Sequence, residues 1–330
     1  MPAADPAADS ASSAPPPDRR AWLRRRARMI LWLVLFASVL GWIGAPWWAA
    51  LAQHLGVHLG AAALLCWLFL WIGRGWLTKW LAFLLAVVHL GPVAWTWMPG
   101  PIAPAPAAPV RVMTVNLLSS NTATAAVVAW IRSEQPDVIS VQEVSPAWAA
   151  ALNEALAESH PHRLVQPSTD NFGIAVYSRR PLAEARSDLL GGPVPSVIAR
   201  VEAGDGATAR SLLVIATHPP PPMSAQYADW HDRQTAALAD LVTASRDPVV
   251  LLGDLNATPG SAAHRYLLAA GLRDTRQGHG WQPTWPASLG WAGIPIDHIL
   301  VSPTVACPRR SLSPDLGSDH RGVVADLRIP

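Results

Sequence analysis

Acids, amides and imidazoles recur at the ends of short apolar runs in the last two thirds of this 330-residue chain. Residues 111–115 run into Asn116, residues 137–142 into Glu143, and residues 211–217 into His218. Residues 248–253 run into Asp254 and Asn256, and residues 294–296 into Asp297. Ser318, Asp319 and His320 stand just before a final apolar run, Val323–Ile329. A hard divalent cation such as Mg²⁺ takes oxygen ligands, usually one or two carboxylates with water completing the shell. Glu143, helped by Asn116, fits that demand. In Gly253-Asp254-Leu255-Asn256 the two polar side chains are two residues apart, so in extended chain they share a face while Leu255 points to the core. No Cys/His cluster has the spacing of a structural zinc site.

Each of these residues alone has a plainer reading. An Asn at a strand end forms turns, a Glu there is solvated, His218 before four prolines caps a loop, and Asp254 with Asn256 makes an Asx turn. The ordered recurrence, each residue following an apolar run, is what points to chemistry.

The runs have the length and β-branched composition of strands. Helical patterns at residues 123–134, 146–159 and about 224–245 separate several of them. Nearly continuous apolar strands imply sheets covered on both faces. The expected architecture over residues 110–330 is a layered α/β domain with its polar strand ends gathered at one edge.

The part before that domain lives in another solvent. Residues 1–18 are rich in Pro, Ala and Ser and bury nothing. With Arg19, Arg20, Arg24, Arg25, Arg26 and Arg28 they make residues 1–28 a disordered, basic tail. Three apolar runs follow, at residues 29–45, 55–73 and 80–98, each close to the ~20 residues a helix needs to cross a bilayer. Residues 29–98 therefore read as a three-helix membrane anchor, with Trp47, Trp48, Trp76, Trp80, Trp95 and Trp97 as interfacial anchors. Residues 99–109 alternate Pro with Ala and Gly as a stiff spacer.

Positive charge favours the cytoplasmic side. The Arg cluster precedes the first run, Arg74 and Lys79 lie between the second and third, and the intervening loop has no Lys or Arg. The N-terminus is expected inside and residues 110–330 outside; a cleaved leader over the first run leaves that domain outside as well. His58 and His89 within the apolar runs read as neutral imidazoles bonded to neighbouring helices. His298, on the strand face opposite Asp297, reads as structural, while His160, His162, His231, His264 and His279 are expected on the surface.

Charge narrows the function further. Residues 1–109 carry eight Lys/Arg and three Asp/Glu, a formal +5; residues 110–330 carry seventeen Arg and twenty Asp/Glu, −3. A nucleic-acid binder carries its basic footprint on the binding domain, so nucleic acid is a disfavoured partner, with Arg179, Arg180, Arg309 and Arg310 the only candidate groove. Cys66 and Cys307 form no disulfide framework. No obligate protein partner is evident.

Thr114-Val115-Asn116, Gln142-Glu143, Thr217-His218, Gly253-Asp254-Leu255-Asn256, Ile296-Asp297-His298 and Ser318-Asp319-His320, in this order, resemble the endonuclease/exonuclease/phosphatase (DNase I-like) superfamily. The resemblance implies a four-layer α/β/β/α sandwich, here preceded by three transmembrane helices, and Mg²⁺-dependent (or Mn²⁺-dependent) hydrolysis of phosphate esters. It implies that Glu143 binds the metal with Asn116 nearby and Asp319 supporting that side. Asp254 would position or deprotonate the attacking water, and Asn256 would orient it or the phosphate. His320, held by Asp297, and His218 would face the phosphoryl and leaving-group oxygens. The whole layout, with Thr217-His218 followed by four prolines, also resembles membrane-anchored VanJ-like proteins. That narrower likeness implies a lipid-linked substrate such as a polyprenyl phosphate or pyrophosphate. An extracellular nuclease and a non-catalytic, phospholigand-binding membrane module are the alternatives.

Overall fold

The computed structural model describes residues 19–44, 46–71, 75–102, 107–206 and 209–330. Residues 1–18, Arg74 and the middle of the 99–109 spacer lie outside the described residues. Among the described residues, three stretches of helix are long and apolar enough to cross a membrane: Arg19–Ile43, Trp47–Leu70 and Trp76–Trp95. The first (α1, Arg19–Ile43) takes in the Arg cluster, so the described part of the expected 1–28 tail is helical; Ala, Leu and Arg are all good helix formers. The second is built from a short turn of helix (α2, Trp47–Ala50), a 3₁₀ turn (Leu51–Leu55) and α3 (Gly56–Leu70). The third is α4 (Trp76–Trp95).

Small residues let these helices approach: Ala27, Ala63, Cys66, Ala82 and Ala86 are buried with Leu31, Val34, Leu70 and Leu85. Outside that seam, Leu33, Phe36, Leu65, Leu68 and Leu84 are exposed, as suits a surface meeting lipid instead of water. His89 lies 2.8 Å from Ser38 Oγ of α1, the interhelical bond expected of it. His58 instead lies 2.8 Å from the Ala292 carbonyl, beyond the helices altogether.

Twelve strands follow among the described residues. One sheet has the order β11-β12-β1-β2-β4-β3, from Ala306–Leu312, Val323–Ile329, Ala108–Asn116, Val138–Gln142, Ile174–Ser178 and His162–Gln166. The other has the order β5-β6-β7-β8-β10-β9, from Ala183–Asp188, Ser196–Ala203, Arg210–Ala216, Val249–Asp254, Asp297–Val301 and Arg273–Asp274. Both are mixed: β1 and β2 are parallel, as are β7 and β8, and the other pairs are antiparallel.

The two-residue period of a strand sorts the side chains into layers. Val110 and Val112 of β1 join Val214, Val250 and Leu252 of the other sheet in the central core. Met113 and Val115, one residue out of phase, pack under α5 (Thr124–Glu134) and α6 (Pro146–Ala155) through Val127, Ile131, Trp148 and Leu152. On the far side Ile215 and Leu251 pack under α7 (Ala225–Ala244) and α8 (Ala262–Ala269). The result is a four-layer α/β/β/α sandwich with both faces of each sheet covered. Ser145, Ser224 and Ser261 each cap the following helix by accepting a backbone N–H.

Candidate active site

The ends of β1, β2, β7 and β8 meet the start of β10 at one rim. Asp254, the last residue of β8, is register partner to Asp297, the first of β10, across an antiparallel pair. Asp297 thus opens its strand; residues 294–296 form no strand before it, and Ile294 makes only a bridge to Trp285. The X–Pro restriction on Ile294 and the missing N–H of Pro295 keep that run out of the sheet.

Asn116, at the end of β1, ties the two sheets together. Its Nδ2 donates to Glu143 Oε1 and to Asp254 Oδ2, each at 3.0 Å, and its Oδ1 accepts from Leu118 N at 3.0 Å. Glu143 Oε2 accepts from Ser119 N at 2.9 Å. Glu143 follows β2 with φ of 57°, and Asn256 follows β8 with φ of 46°. Asn tolerates the left-handed region; for Glu it is strain, and the surrounding contacts hold it there. Two glycines permit the close packing behind these turns. A Cβ on Gly173 would lie 2.1 Å from Val144 O, and one on Gly253 would lie 1.8 Å from Thr217 O.

The second half of the rim is a chain of acids and imidazoles. His320 Nδ1 donates to Asp297 Oδ2 at 2.9 Å, leaving Nε2 3.7 Å from Asp254 Oδ2. His218 Nε2 lies 3.5 Å from the same oxygen, and its buried Nδ1 has no hydrogen-bond partner among the described residues. Burial would lower the pKa of His320, but the carboxylates of Asp297 and Asp254 outweigh it and push the imidazole up to about 10. Burial raises Asp297 in turn, against the pull of that imidazolium. The pair therefore presents a charged donor, and Thr284 Oγ1 accepts from Asp297 N at 3.1 Å to fix its base.

Asp254 Oδ1 accepts from Asn256 N at 2.9 Å, so the Asx turn and the functional reading coincide here. Asn256 Nδ2 donates to Pro219 O at 3.0 Å, tying the β8 turn to the proline loop after His218. Leu255 packs under α8 as its spacing required. Asp319 is the most open of the set, 45% exposed, with Oδ2 accepting from Trp285 Nε1 at 3.0 Å.

Glu143, His218, Asp254, Asn256, Asp319 and His320 all line one cleft of about 730 Å³. Asn116 and Asp297 stand behind it, each fully buried. Four carboxylates, those of Glu143, Asp170, Asp254 and Asp319, face this cleft, and no Lys or Arg lines it among the described residues. Carboxylates gathered without a cation repel one another, and that donor set of hard oxygens fits a divalent cation such as Mg²⁺.

Several members carry no sequence signal. Ser119, Phe172 and Trp285 reach the cleft or its acids only through tertiary packing. Leu51, His54 and Leu55 come from the helix-forming first third of the chain. The candidate basic groove is no part of this cleft. Arg180 pairs with Asp205, Arg309 pairs with Glu134, Arg310 is buried, and none of the four lines the cleft.

The surface expected for five histidines fails for three: His160, His231 and His264 are buried. Each is bonded, His160 to Pro136 O, His231 to Leu255 O and His264 to Asp274. His298 does face away from the cleft, its ring tilted against that of His264 with centroids 5.0 Å apart, and it is bonded to Ala257 O. Cys66 and Cys307 are both free thiols.

A sequence model described as the Endonuclease/Exonuclease/phosphatase family matches residues 113–320, which takes in every rim residue above. No curated protein matches the chain. Among solved structures, an endonuclease/exonuclease/phosphatase from Beutenbergia cavernae is 26% identical, with TM-score 0.55 over 67% of this chain and 72% of that one. A protein of the same description from Bacteroides vulgatus is 17% identical, with TM-score 0.57 over 67% and 99%. An AP endonuclease from Archaeoglobus fulgidus is 18% identical, with TM-score 0.53 over 66% and 98%. The last two are likenesses of fold.

Proposed function

Because the chain belongs to the endonuclease/exonuclease/phosphatase family, we propose that it is a membrane-anchored, Mg²⁺-dependent phosphoesterase whose substrate phosphate lies at the outer bilayer surface. One observation carries the membrane part of this reading. The cleft that holds Glu143, Asp254 and His320 is also lined by Leu51, His54 and Leu55, from the first turns of the second apolar stretch. The site is built against its own anchor.

Glu143 would hold the metal (Mg²⁺, or Mn²⁺), with Asn116 fixing its carboxylate and Asp319 on the open side of the same cleft. An ion held there would supply positive charge to the phosphate oxygens and Lewis-acid polarisation of the ester. Asp254 orients the attacking water and takes its proton. It is the acid that meets both imidazoles, and Asn116 and Asn256 N fix both of its oxygens. His320, charged and locked by Asp297, donates to the phosphoryl oxygens as their charge grows. His218 faces the same centre from the proline loop and serves the leaving-group oxygen. Asn256 orients the water or the phosphate, while its amide keeps that loop in register.

The narrower part of the proposal is a lipid-linked phosphate or pyrophosphate, such as that of a polyprenyl carrier, in the manner of VanJ-like proteins. The prolines after His218 support it, since Pro221 and Pro222 contribute apolar surface to the cleft. The absence of Lys and Arg from that lining argues against a long polyanion as substrate.

The anchor's polarity supports an outward site. Arg28 and Lys79 lie at the end of the bundle near Gly75 and Trp71, whereas Gln53, His58 and Thr96 contact the sandwich from the other end.

The test is Mg²⁺-dependent release assayed side by side on a polyprenyl pyrophosphate, a soluble phosphodiester and DNA. Purified protein should turn over the lipid pyrophosphate fastest, with Glu143→Ala and Asp254→Ala each reducing the rate to background. DNA cleaved in preference would replace this reading with a nuclease, and no metal-dependent turnover of any substrate would leave a binding module.

A further inference from the structure

We propose that residues 51–55 form the wall of the active site that holds the hydrocarbon tail of a phosphorylated lipid; this rests on the phosphoesterase reading above. The segment is locked to the catalytic domain at a chemically sensitive place. Gln53 Nε2 donates to Gly41 O and its Oε1 accepts from Ala262 N, both at 2.6 Å. Those two partners are a carbonyl near the end of α1 and an N–H at the start of α8, groups that a helix leaves unsatisfied within itself. One side chain thus joins the anchor to the catalytic domain. Next to it, His54 Nδ1 lies 3.3 Å from Thr258 Oγ1, two residues beyond Asn256.

The cleft lining divides by chemistry. Glu143, Asp254, His218 and His320 supply its polar side. Leu51, Leu55, Pro222, Met223 and Ile294 supply an apolar one. Leu55 and Met223 remain 50% and 66% exposed, so in water each leaves large apolar area uncovered. A small hydrophilic phosphate gains nothing from such a surface. An amphiphile covers it while its head group meets the acids and imidazoles.

Continuity names the occupant. Leu55 is followed directly by α3, where Leu65 and Phe69, ten and fourteen residues on, are the exposed apolar residues that helical periodicity brings nearest to its side. A chain lying along Leu51 and Leu55 passes onto that side and into the bilayer without crossing water. A soluble peptide or a nucleic acid would leave that path unused.

The experiment uses the full chain in detergent micelles with Mg²⁺ and prenyl diphosphates of one, three and eleven isoprene units. For the unaltered protein, kcat/KM should rise by about tenfold or more from one unit to three, since each buried methylene stabilises the bound state. Leu55→Ser and Met223→Ser should each cut that three-unit to one-unit ratio by about fivefold. Leu55→Met should restore it, and Leu189→Ser, on an exposed apolar residue outside the cleft, should leave it unchanged. Equal kcat/KM at all chain lengths, or an unaltered ratio in both serine variants, overturns the tail site while the phosphoesterase reading stands. Turnover of a soluble phosphodiester with none of any prenyl diphosphate removes the lipid reading and the tail site together.

Discussion

Asp297 reaches the chemistry only through His320, and that makes it a sharp probe of the site. It is fully buried, with one oxygen on His320 Nδ1 and the other without a hydrogen-bond partner among the described residues. Asp297→Asn keeps the shape and removes the charge that holds the imidazole protonated and oriented. The expected loss is about 10²–10³ in kcat with KM little altered, because a positioned charged donor acts mainly on the transition state. Steady-state kinetics on any phosphoester the protein hydrolyses would check it; a rise in KM at unchanged kcat would show that the pair only binds substrate. At this scale the sequence was informative wherever a metal- or phosphate-binding type flanked an apolar run. Glu143, Asp254 and His320 were readable for that reason, and all three line the cleft. Trp285 and Phe172 were not, since nothing local distinguishes a cleft aromatic from a core one. An isolated histidine is equally silent: His231 and His264 are buried because a backbone carbonyl and an aspartate receive them.

Among the elements, the strands that end at the rim were legible and those that only complete the sheets were less so. β3 and β5 are edge strands whose half-exposed or exposed residues show no long apolar run. They exist because β4 and β6 offer them unpaired backbone groups, a tertiary cause. The short strand β9 shows how much such an element can carry. Its Asp274 receives Arg276 Nη2 at 2.6 Å and His264 at 3.0 Å, with His298 Nδ1 at 3.6 Å. Burial opposes the charge, but Arg276, His264 and His298 outweigh it and hold the carboxyl well below the usual carboxylate range. A carboxyl depressed in the folded state stabilises above its unfolded pKa of about 3.9, and that contribution fades as pH falls toward the folded value. Asp274→Asn should therefore cost about 3–5 kcal/mol at neutral pH, because Arg276 is left as a buried unpaired cation. It should cost progressively less below about pH 4. Urea unfolding in detergent across that range would check both statements; a cost independent of pH would place the effect in packing instead of charge.

At the scale of the whole molecule, the three apolar helical stretches and the sandwich were both foreseeable, but their meeting was not. Apolar length and the Arg cluster pointed to three helices, and strand patterning pointed to a layered domain. Nothing in either pattern says that Gln53 and His54 touch residues 258–262. That contact requires the end of α1, the start of α3 and the catalytic cleft to lie on one side of the bilayer. The end of α4 obeys the same rule, since Thr96 O accepts from Gly278 N at 2.8 Å and from Gly280 N at 3.1 Å. Three crossings with Arg19, Arg20 and Arg28 at the opposite end satisfy it when the N-terminus is cytoplasmic. Protease added to intact spheroplasts should then digest an epitope placed after Pro330 and spare one placed before Met1, with the reverse pattern only in inverted vesicles. Digestion of the N-terminal epitope with protection of the C-terminal one would put the cleft in the cytoplasm and sever the site from any outer-leaflet substrate. A cut at both ends of intact cells would mean an even number of crossings and would take α1 out of the bilayer, since the contacts of residues 53–54 and 96 with a single domain require the two later helical stretches to cross as a pair.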